Sequence, residues 1–287
     1  MKITDEPSRK PAWLKTRLRT GENFRRVNNL LQYHGLSTVC QSANCPNRHE
    51  CFSRGTATFL ILGPNCTRNC GFCDVDPGPP AAVDPAEPIR VAGAAGELNL
   101  KHVVVTSVTR DDLPDSGAGQ FAAVIAELRA QLPRCVIEVL TPDFRNNDKS
   151  LTVVMEAGPD IFNHNLETVE RLYPRVRPGA DYDRSLRLLE RACRCFDVTT
   201  KSGLMLGLGE TREELYRVFD HLALTGVTYL TIGQYLSPSP NHLPVERYVT
   251  PEEFRQLAEE ASRRGVPRVF SGPLVRSSYM AERLHSD

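Results

Sequence analysis

The chain has 287 residues, of which 40% are hydrophobic, and its 35 lysines and arginines balance its 35 aspartates and glutamates. This length and apolar content suit one large α/β domain, and zero net charge gives no electrostatic reason to expect nucleic-acid binding. No apolar segment approaches the roughly 20 residues of a membrane-spanning helix, so no membrane contact is expected. The first six residues lack the hydrophobic core of a signal peptide, which favours a cytoplasmic protein.

The chain begins with a basic segment within residues 1–38. Phe24, Val27, Leu30 and Leu31 recur at helical spacing and predict an amphipathic helix. We interpret the segment as an arm that packs its apolar side and solvates its charges. The alternative, a docking surface for an acidic partner, stays open. The basic residues are Arg9, Lys10, Lys15, Arg17, Arg19, Arg25 and Arg26.

A first group of three cysteines follows, with Cys40, Cys45 and Cys51 at C-x4-C-x5-C spacing. Three is an odd number for disulfide pairing, and six cysteines between positions 40 and 73 do not resemble a secreted disulfide framework. The group could hold an iron–sulfur cluster or, together with His49, a metal such as zinc. We favour the cluster, because an isolated histidine between ligands more often forms hydrogen bonds within a loop.

A second group of three cysteines comes directly after an apolar run at 58–62 that predicts a strand. Cys66, Cys70 and Cys73 have C-x3-C-x2-C spacing, which lets three thiolates bind one four-iron cluster and leaves the fourth iron without a protein ligand. An open coordination position is a reactive one, as it is at catalytic zinc. A structural zinc site is disfavoured because such sites usually have four ligands in two C-x2-4-C pairs. The spacing, with Phe72 before the last cysteine, resembles the cluster loop of radical S-adenosylmethionine enzymes.

Short apolar runs then alternate with helical patterns, which predicts a parallel sheet with right-handed crossovers. Six strands indicate an α/β fold with an open, partial (β/α)6 TIM-like barrel rather than the closed eight-stranded form. We divide this single structural unit into an N-terminal extension with the first cysteines at 1–55, the barrel at 56–250 and a C-terminal helix and tail at 251–287. The predicted strands are 58–62, 102–107, 135–140, 160–163, 197–206 and 227–233, and the predicted helices are 89–99, 119–131, 148–156, 166–172, 183–194, 211–224 and 251–264.

Polar residues near the ends of these strands are candidates for binding a cofactor, because chemistry in such barrels lies at the C-terminal ends of the strands. The glycine-rich stretch 203–210 allows a ligand to approach the backbone closely, and Arg177 could bind a cofactor carboxylate. Each candidate could equally be a turn or cap residue. Cys135, Cys193 and Cys195 lack cluster spacing, so we expect no metal role for them. The candidates for cofactor contact are Thr106, Asn165, Glu167, Arg177, Lys201 and Glu210.

The arrangement of the two cysteine groups resembles the lipoyl synthase family of the radical S-adenosylmethionine superfamily. The resemblance is carried by the residues around Cys40, Cys45 and Cys51 and by the loop that follows, and it covers nearly the whole chain. It extends to Lys10-Pro11-Ala12-Trp13-Leu14 upstream and to Val275-Arg276-Ser277-Ser278-Tyr279 near the end.

The resemblance implies a partial barrel whose mouth is covered by N- and C-terminal extensions. It also implies two [4Fe-4S] clusters and S-adenosylmethionine, with sulfur inserted at C6 and C8 of an octanoyl chain on a carrier-protein lysine. In the family a serine of the C-terminal motif binds the fourth iron of the auxiliary cluster, and we assign this role to Ser278 rather than Ser277. The implied partners are the glycine cleavage H protein, the acyltransferase subunits of 2-oxoacid dehydrogenases, and a reductant such as flavodoxin or ferredoxin.

Two other functions share the same cysteine signals. One is a different radical enzyme whose auxiliary cluster serves only electron transfer, and the other is a non-enzymatic iron–sulfur protein. Sulfur insertion must consume the auxiliary cluster, whereas electron transfer leaves it intact. A non-enzymatic module would not cleave S-adenosylmethionine under reducing conditions.

Overall fold

The computed structural model describes residues 10–16 and 18–281. Arg9 and Arg17 of the basic segment, the first six residues and the end of the tail fall outside this part of the chain. The helix predicted from Phe24, Val27, Leu30 and Leu31 is present as Glu22–Tyr33, and the last three of these side chains are buried on one face.

One eight-stranded sheet forms the scaffold, and its strands are arranged in chain order. The first strand runs antiparallel to the second, and every other neighbouring pair is parallel. The first and last strands lie at the two edges of an open sheet, which confirms the partial barrel. The strands are β1 Ser37–Thr38, β2 Thr58–Ile61, β3 His102–Ser107, β4 Val136–Leu140, β5 Ile161–Asn163, β6 Thr199–Leu206, β7 Tyr229–Gln234 and β8 Arg268–Gly272.

All six predicted strands are present as β2 to β7, but the sheet has a further parallel strand that was not predicted. Strand β8 pairs with β7 from Arg268 opposite Tyr229 to Gly272 opposite Gly233. None of its side chains is buried, because it lies at the sheet edge. The predicted strands are instead largely buried apolar runs, typical of a covered parallel sheet.

Helices cover the outside of the sheet and connect successive strands. The sequence explains several of their ends: Thr211 and Glu214 form a capping box at one helix, and Thr250 caps another. No helix in the described ranges is long and apolar enough to cross a membrane. The helices are α1 Glu22–Tyr33, α2 Val39–Ser42, α3 Arg48–Ser53, α4 Glu87–Glu97, α5 Ala118–Gln131, α6 Asp148–Glu156, α7 Tyr173–Val176, α8 Tyr182–Cys195, α9 Arg212–Thr225 and α10 Pro251–Arg263.

The helix predicted at 166–172 is wrong. Glu167 has a left-handed backbone with φ of 67°, and its N–H and C=O bond to Gly203 and Met205 of β6 at 2.9 and 2.8 Å. The segment therefore extends the sheet for one residue instead of starting a helix. Only Glu170–Leu172 forms a 3₁₀ turn, which leads into α7.

Candidate active site

The loop with Cys66, Cys70 and Cys73 follows β2 and is fixed to the ends of neighbouring strands. The Cys66 N–H donates to the Asp76 carbonyl at 2.9 Å, and the Thr67 N–H donates to the Thr109 carbonyl at 3.0 Å. The Cys66 Sγ accepts backbone N–H groups from Arg68 and Thr109 at 3.4 and 3.3 Å. Such bonds stabilise a thiolate and tune the potential of a cluster that it holds.

Cys66 and Cys70 lie close enough to Cys73 to affect its pKa. Burial raises the pKa of Cys70, and it raises the pKa of Cys73 to about 12, with the neighbouring thiols adding to the shift in both cases. Because metal ligands must be deprotonated, cluster binding would displace protons from these thiols.

Arg68, between the first two cysteines of the loop, binds two carboxylates. Its guanidinium donates to both oxygens of Asp111 at 2.7 and 2.9 Å, and to both oxygens of Asp143 at 3.1 and 2.7 Å. Burial alone would raise the pKa of Asp143, but the hydrogen bonds and charge of Arg68 outweigh it and hold the pKa at about 2. The cysteine loop is thereby joined to the residues that follow β3 and β4.

The sequence analysis did not identify this ion-pair network. Asp111 and Asp143 lie 43 and 75 positions from Arg68 along the chain, so no local spacing connects them. The only sequence signal for this network is Arg68 itself, because it lies between Cys66 and Cys70. A guanidinium there needs acidic partners if it is buried.

A strap after β7, defined as residues 235–246, crosses the cysteine loop. The Leu243 N–H donates to the Gly71 carbonyl at 3.0 Å, and the Nε2 of His242 lies 3.0 Å from the carbonyl oxygen of Cys73. A Cβ at Gly71 would lie only 2.9 Å from the Leu243 side chain and 3.1 Å from the Arg175 carbonyl oxygen. The loop is therefore packed closely on its outer side.

Three of the predicted cofactor contacts come together beside this loop. The Asn165 Nδ2 donates to the Glu167 carboxylate at 3.0 Å, and the Arg177 guanidinium donates to the Asn165 carbonyl at 2.8 Å. Burial raises the pKa of Glu167, while the charge of Arg177 opposes that shift. The same arginine also lowers the pKa of Cys70, against the larger effect of burial.

The other three predicted contacts lie apart from this group. The Thr106 hydroxyl donates to the Leu140 carbonyl at 2.9 Å. The Lys201 side chain is fully buried and donates to Glu138 at 2.9 Å, near the start of β6 rather than its end. The Glu210 carboxylate accepts the N–H groups of residues 207 and 208 at 2.7 and 2.9 Å, which closes its own turn.

The first cysteine group lies outside the barrel sheet, on α2 and α3 and between them. Burial raises the pKa of Cys40 to about 11, and the neighbouring Cys45 adds to the shift. His49 stacks on Phe24 with ring centroids 4.9 Å apart, and its Nδ1 lies 3.0 Å from the carbonyl oxygen of Arg19. No three His, Cys, Asp or Glu side chains within residues 10–16 and 18–281 are close enough to hold one metal ion.

A C-terminal turn, residues 273–280, packs against this cysteine group. The Asn47 Nδ2 donates to the Leu274 carbonyl at 2.7 Å, and the Tyr279 hydroxyl donates to Glu50 at 3.2 Å. The Ser277 hydroxyl accepts a bond from Asn165 at 3.1 Å. The Ser278 hydroxyl has no hydrogen-bond partner in the described ranges.

Arg276 of the turn is close enough to Cys45 and to Glu167 for both to affect its pKa. Burial lowers the pKa of Arg276, and the charges of Cys45 and Glu167 oppose that shift. The turn therefore reaches from the first cysteine group to the predicted cofactor contacts.

The residues present fit two iron–sulfur clusters and one polar cofactor. Cys66 already accepts two N–H bonds as a ligand thiolate would. Asn165 Oδ1 and Arg177 Nε are buried without a partner in the described ranges. Buried polar atoms of this kind are rare in native proteins unless a ligand or water satisfies them.

Comparison with known proteins agrees with this description. A family model described as "Radical SAM superfamily" matches residues 60–222, and one described as "N-terminal domain of lipoyl synthase of Radical_SAM family" matches residues 2–45. The fold and the cysteine loop thus define the chain as a member of the radical S-adenosylmethionine superfamily.

Curated relatives place the chain more narrowly. It is 54% identical over 271 residues to "Lipoyl synthase" of Oleidesulfovibrio alaskensis, which covers 94% of this chain and 93% of the relative. It is 55% identical over 276 residues to "Lipoyl synthase" of Symbiobacterium thermophilum, with 96% and 86% covered. At this identity over nearly the full length, the chain belongs to the lipoyl synthase family.

Solved structures share the fold at low sequence identity. Streptococcus suis SuiB bound to S-adenosylmethionine superposes with a TM-score of 0.58 at 13% identity, over 78% of this chain and 54% of that chain. HydG, a maturase of the [FeFe]-hydrogenase, gives a TM-score of 0.57 at 16% identity, over 89% of this chain and 56% of that chain.

Proposed function

We propose that the protein is a lipoyl synthase, which inserts sulfur at C6 and C8 of an octanoyl chain attached to a lysine of a carrier protein. The observation that carries the proposal is the C-terminal turn, which contacts the first cysteine group through Asn47 and the cofactor group through Asn165. A sulfur source and a radical source must both lie near one substrate chain, and the contacts of this turn with both segments support the proposal.

The chemistry requires cofactors, because no side-chain acid or base can attack an unactivated C–H bond. Cys66, Cys70 and Cys73 would hold the cluster that supplies one electron to split a C–S bond of S-adenosylmethionine, which gives methionine and a 5′-deoxyadenosyl radical. Cys40, Cys45 and Cys51 would hold the cluster that supplies sulfur. The protein's own groups bind and orient these partners. Glu167 would accept hydrogen bonds from the cofactor ammonium group, and Arg177 would donate to its carboxylate. Thr106, Lys201 and Glu210 support the barrel around them.

Ser278 is proposed as the fourth ligand of the auxiliary cluster. Its neighbours Leu274 and Tyr279 hold the turn against Asn47 and Glu50, which both lie between Cys45 and Cys51 in the chain. An alkoxide is a harder and poorer ligand for a sulfur-rich cluster than a thiolate is. Ser278 could therefore leave as the cluster gives up sulfur.

The partners follow from the same proposal. Octanoylated carrier domains, such as the glycine cleavage H protein or the acyltransferase subunits of 2-oxoacid dehydrogenases, would present the substrate lysine. A flavodoxin or ferredoxin would supply electrons, and a reducing cytoplasm would preserve the clusters.

The test is anaerobic incubation of the reconstituted protein with dithionite, S-adenosylmethionine and an octanoyl-lysine peptide, followed by mass spectrometry. We expect a peptide that carries two sulfur atoms and a loss of auxiliary-cluster iron that matches its yield. A product without sulfur, or an auxiliary cluster that survives turnover, would reject sulfur donation in favour of electron transfer.

Cysteine variants separate the two sites. Replacing Cys66, Cys70 or Cys73 by alanine should abolish 5′-deoxyadenosine formation, because the cofactor loses the iron that it chelates. The Cys45→Ala variant should still form 5′-deoxyadenosine but no thiolated product. Ser278→Ala should behave as Cys45→Ala does, whereas Ser278→Cys should give an over-stable cluster with poor turnover.

A further inference from the structure

The C-terminal turn makes contacts with both functional sites. Towards the first cysteine group it is held by Asn47 and Glu50. Towards the barrel, the Val275 carbonyl lies directly over β7, since a Cβ at Gly233 would be 2.0 Å from its oxygen. The turn is therefore held between the segment with the first cysteines and the barrel. Ser277 and Ser278 lie in the chain between Val275, which contacts the barrel, and Tyr279, which contacts Glu50.

The side-chain amide of Asn165 connects this turn to Glu167, one of the predicted cofactor contacts. Asn165 uses its Nδ2 group to donate to Glu167 at 3.0 Å and to Ser277 at 3.1 Å. Both N–H groups of the amide are thus used, and they lie in one rigid plane. If Glu167 moves towards a bound ammonium group, the Asn165 amide must turn with it. That rotation changes the hydrogen bond that the amide donates to Ser277.

We propose that Ser277 is a positioning residue that couples occupancy of the cofactor site to the order of the turn that carries Ser278. This inference rests on the proposed function, because it assumes that S-adenosylmethionine binds at Glu167 and Arg177. Binding there fixes the Asn165 amide, and the amide then holds Ser277 and with it the neighbouring Ser278 at the auxiliary site. The two serines therefore have separate roles. Ser277 responds to cofactor binding through Asn165, and Ser278 binds the auxiliary cluster.

The coupling can be measured without turnover by hydrogen–deuterium exchange of the anaerobic, cluster-loaded protein, with and without S-adenosylmethionine. In the unaltered protein, the cofactor should slow exchange in peptides that cover 160–170 and in those that cover 273–281. In Ser277→Ala, protection at 160–170 should remain. The cofactor-dependent protection at 273–281 should fall roughly fivefold, the effect of one net hydrogen bond.

Two variants control for a general loss of structure. Ser277→Thr keeps the hydroxyl and should restore protection of the turn. Ser271→Ala removes a hydroxyl of the same type that donates to the Phe254 carbonyl at 2.7 Å, away from Asn165, and should behave as the unaltered protein does. Gly233→Ala should release the turn from the barrel side and reproduce the loss seen in Ser277→Ala.

The yield of thiolated product per 5′-deoxyadenosine provides a second measurement, and it should fall in Ser277→Ala and recover in Ser277→Thr. The inference is overturned if the cofactor protects 273–281 equally in Ser277→Ala and the unaltered protein, or fails to protect it in either. A protein that shows the coupling but makes no thiolated product would instead refute the proposed function.

Discussion

The two cysteine groups are held in place in different ways. The loop with Cys66, Cys70 and Cys73 is bound to the barrel by backbone pairing, by the strap and by the two carboxylates of Arg68. The group at 40–51 lies on short helices outside the parallel sheet, packs against the hydrophobic core, and is also contacted by the C-terminal turn. In the proposed function, the cluster that survives every turnover would lie in the part with more contacts to the barrel, and the cluster that gives up its sulfur would lie beside the C-terminal turn.

The largest effect should follow from Arg68→Ala. It would leave Asp111 without an ion-pair partner in the described residues, and the fully buried Asp143 with Arg184 alone, at 3.4 Å. Breaking a buried ion pair costs up to about 3–5 kcal/mol. We expect the free energy of unfolding, measured in urea, to fall by this amount. The cluster at Cys66, Cys70 and Cys73 should no longer assemble. Arg145→Ala is a suitable control, because Arg145 is exposed and contacts only the Asp111 backbone at 3.4 Å.

A smaller effect is expected for Gly71→Ala. The new Cβ would push against Leu243 at 2.9 Å and the Arg175 carbonyl at 3.1 Å, and overpacking of this kind costs roughly 1–3 kcal/mol. Cofactor cleavage should slow while the auxiliary cluster stays intact. Combining the change with Leu243→Ala should recover part of the rate, and no recovery would mean that the strap does not hold the loop.

Asn47→Ala tests the other region. Asn47 is buried, and its loss would leave the Leu274 carbonyl without its donor, at a cost of about 1–2 kcal/mol. The expected defect is confined to the auxiliary site: lower iron content there, normal 5′-deoxyadenosine formation and little thiolated product. If both clusters were lost together, the two regions would not be independent.

The smallest effect belongs to Cys195→Ser. This thiol is exposed at the end of α8, so the free energy of unfolding should change by less than about 0.5 kcal/mol. Iron content measured on the same samples should equal that of the unaltered protein. A loss of iron would show that a seventh cysteine takes part in cluster binding.

The sequence predicted those parts of the molecule that depend on local pattern. Most of strands β2 to β7 contain the buried apolar residues that a covered parallel sheet requires. The cysteine spacings identify both groups without any tertiary information. Strand β8 lies at the sheet edge and has no buried side chain, so its residues show no such pattern.

The remaining differences come from long-range contacts. Residues 166–168 have a helical composition, but hydrogen bonds to Gly203 and Met205 draw Glu167 onto the sheet. Lys201 is polar and close to a glycine-rich stretch, yet its partner Glu138 lies 63 positions away in the barrel interior. The carboxylates that bind Arg68 are similarly distant, and only the folded chain brings them together.

The distance along the chain between Asn47 and Leu274, 227 positions, has a consequence for biosynthesis. At about 5–20 residues per second, the first cysteine group would leave the ribosome roughly 10–45 seconds before the turn that completes its surroundings. A cluster delivered in that interval would lack Ser278, its proposed fourth ligand, and the contacts of the C-terminal turn. We therefore expect ribosome-bound chains arrested near residue 250 to accept the first cluster and not the auxiliary one, which iron analysis of purified arrested complexes would test. Assembly of the proposed sulfur-donor cluster would then be delayed until residues 273–280 have been synthesised and have folded.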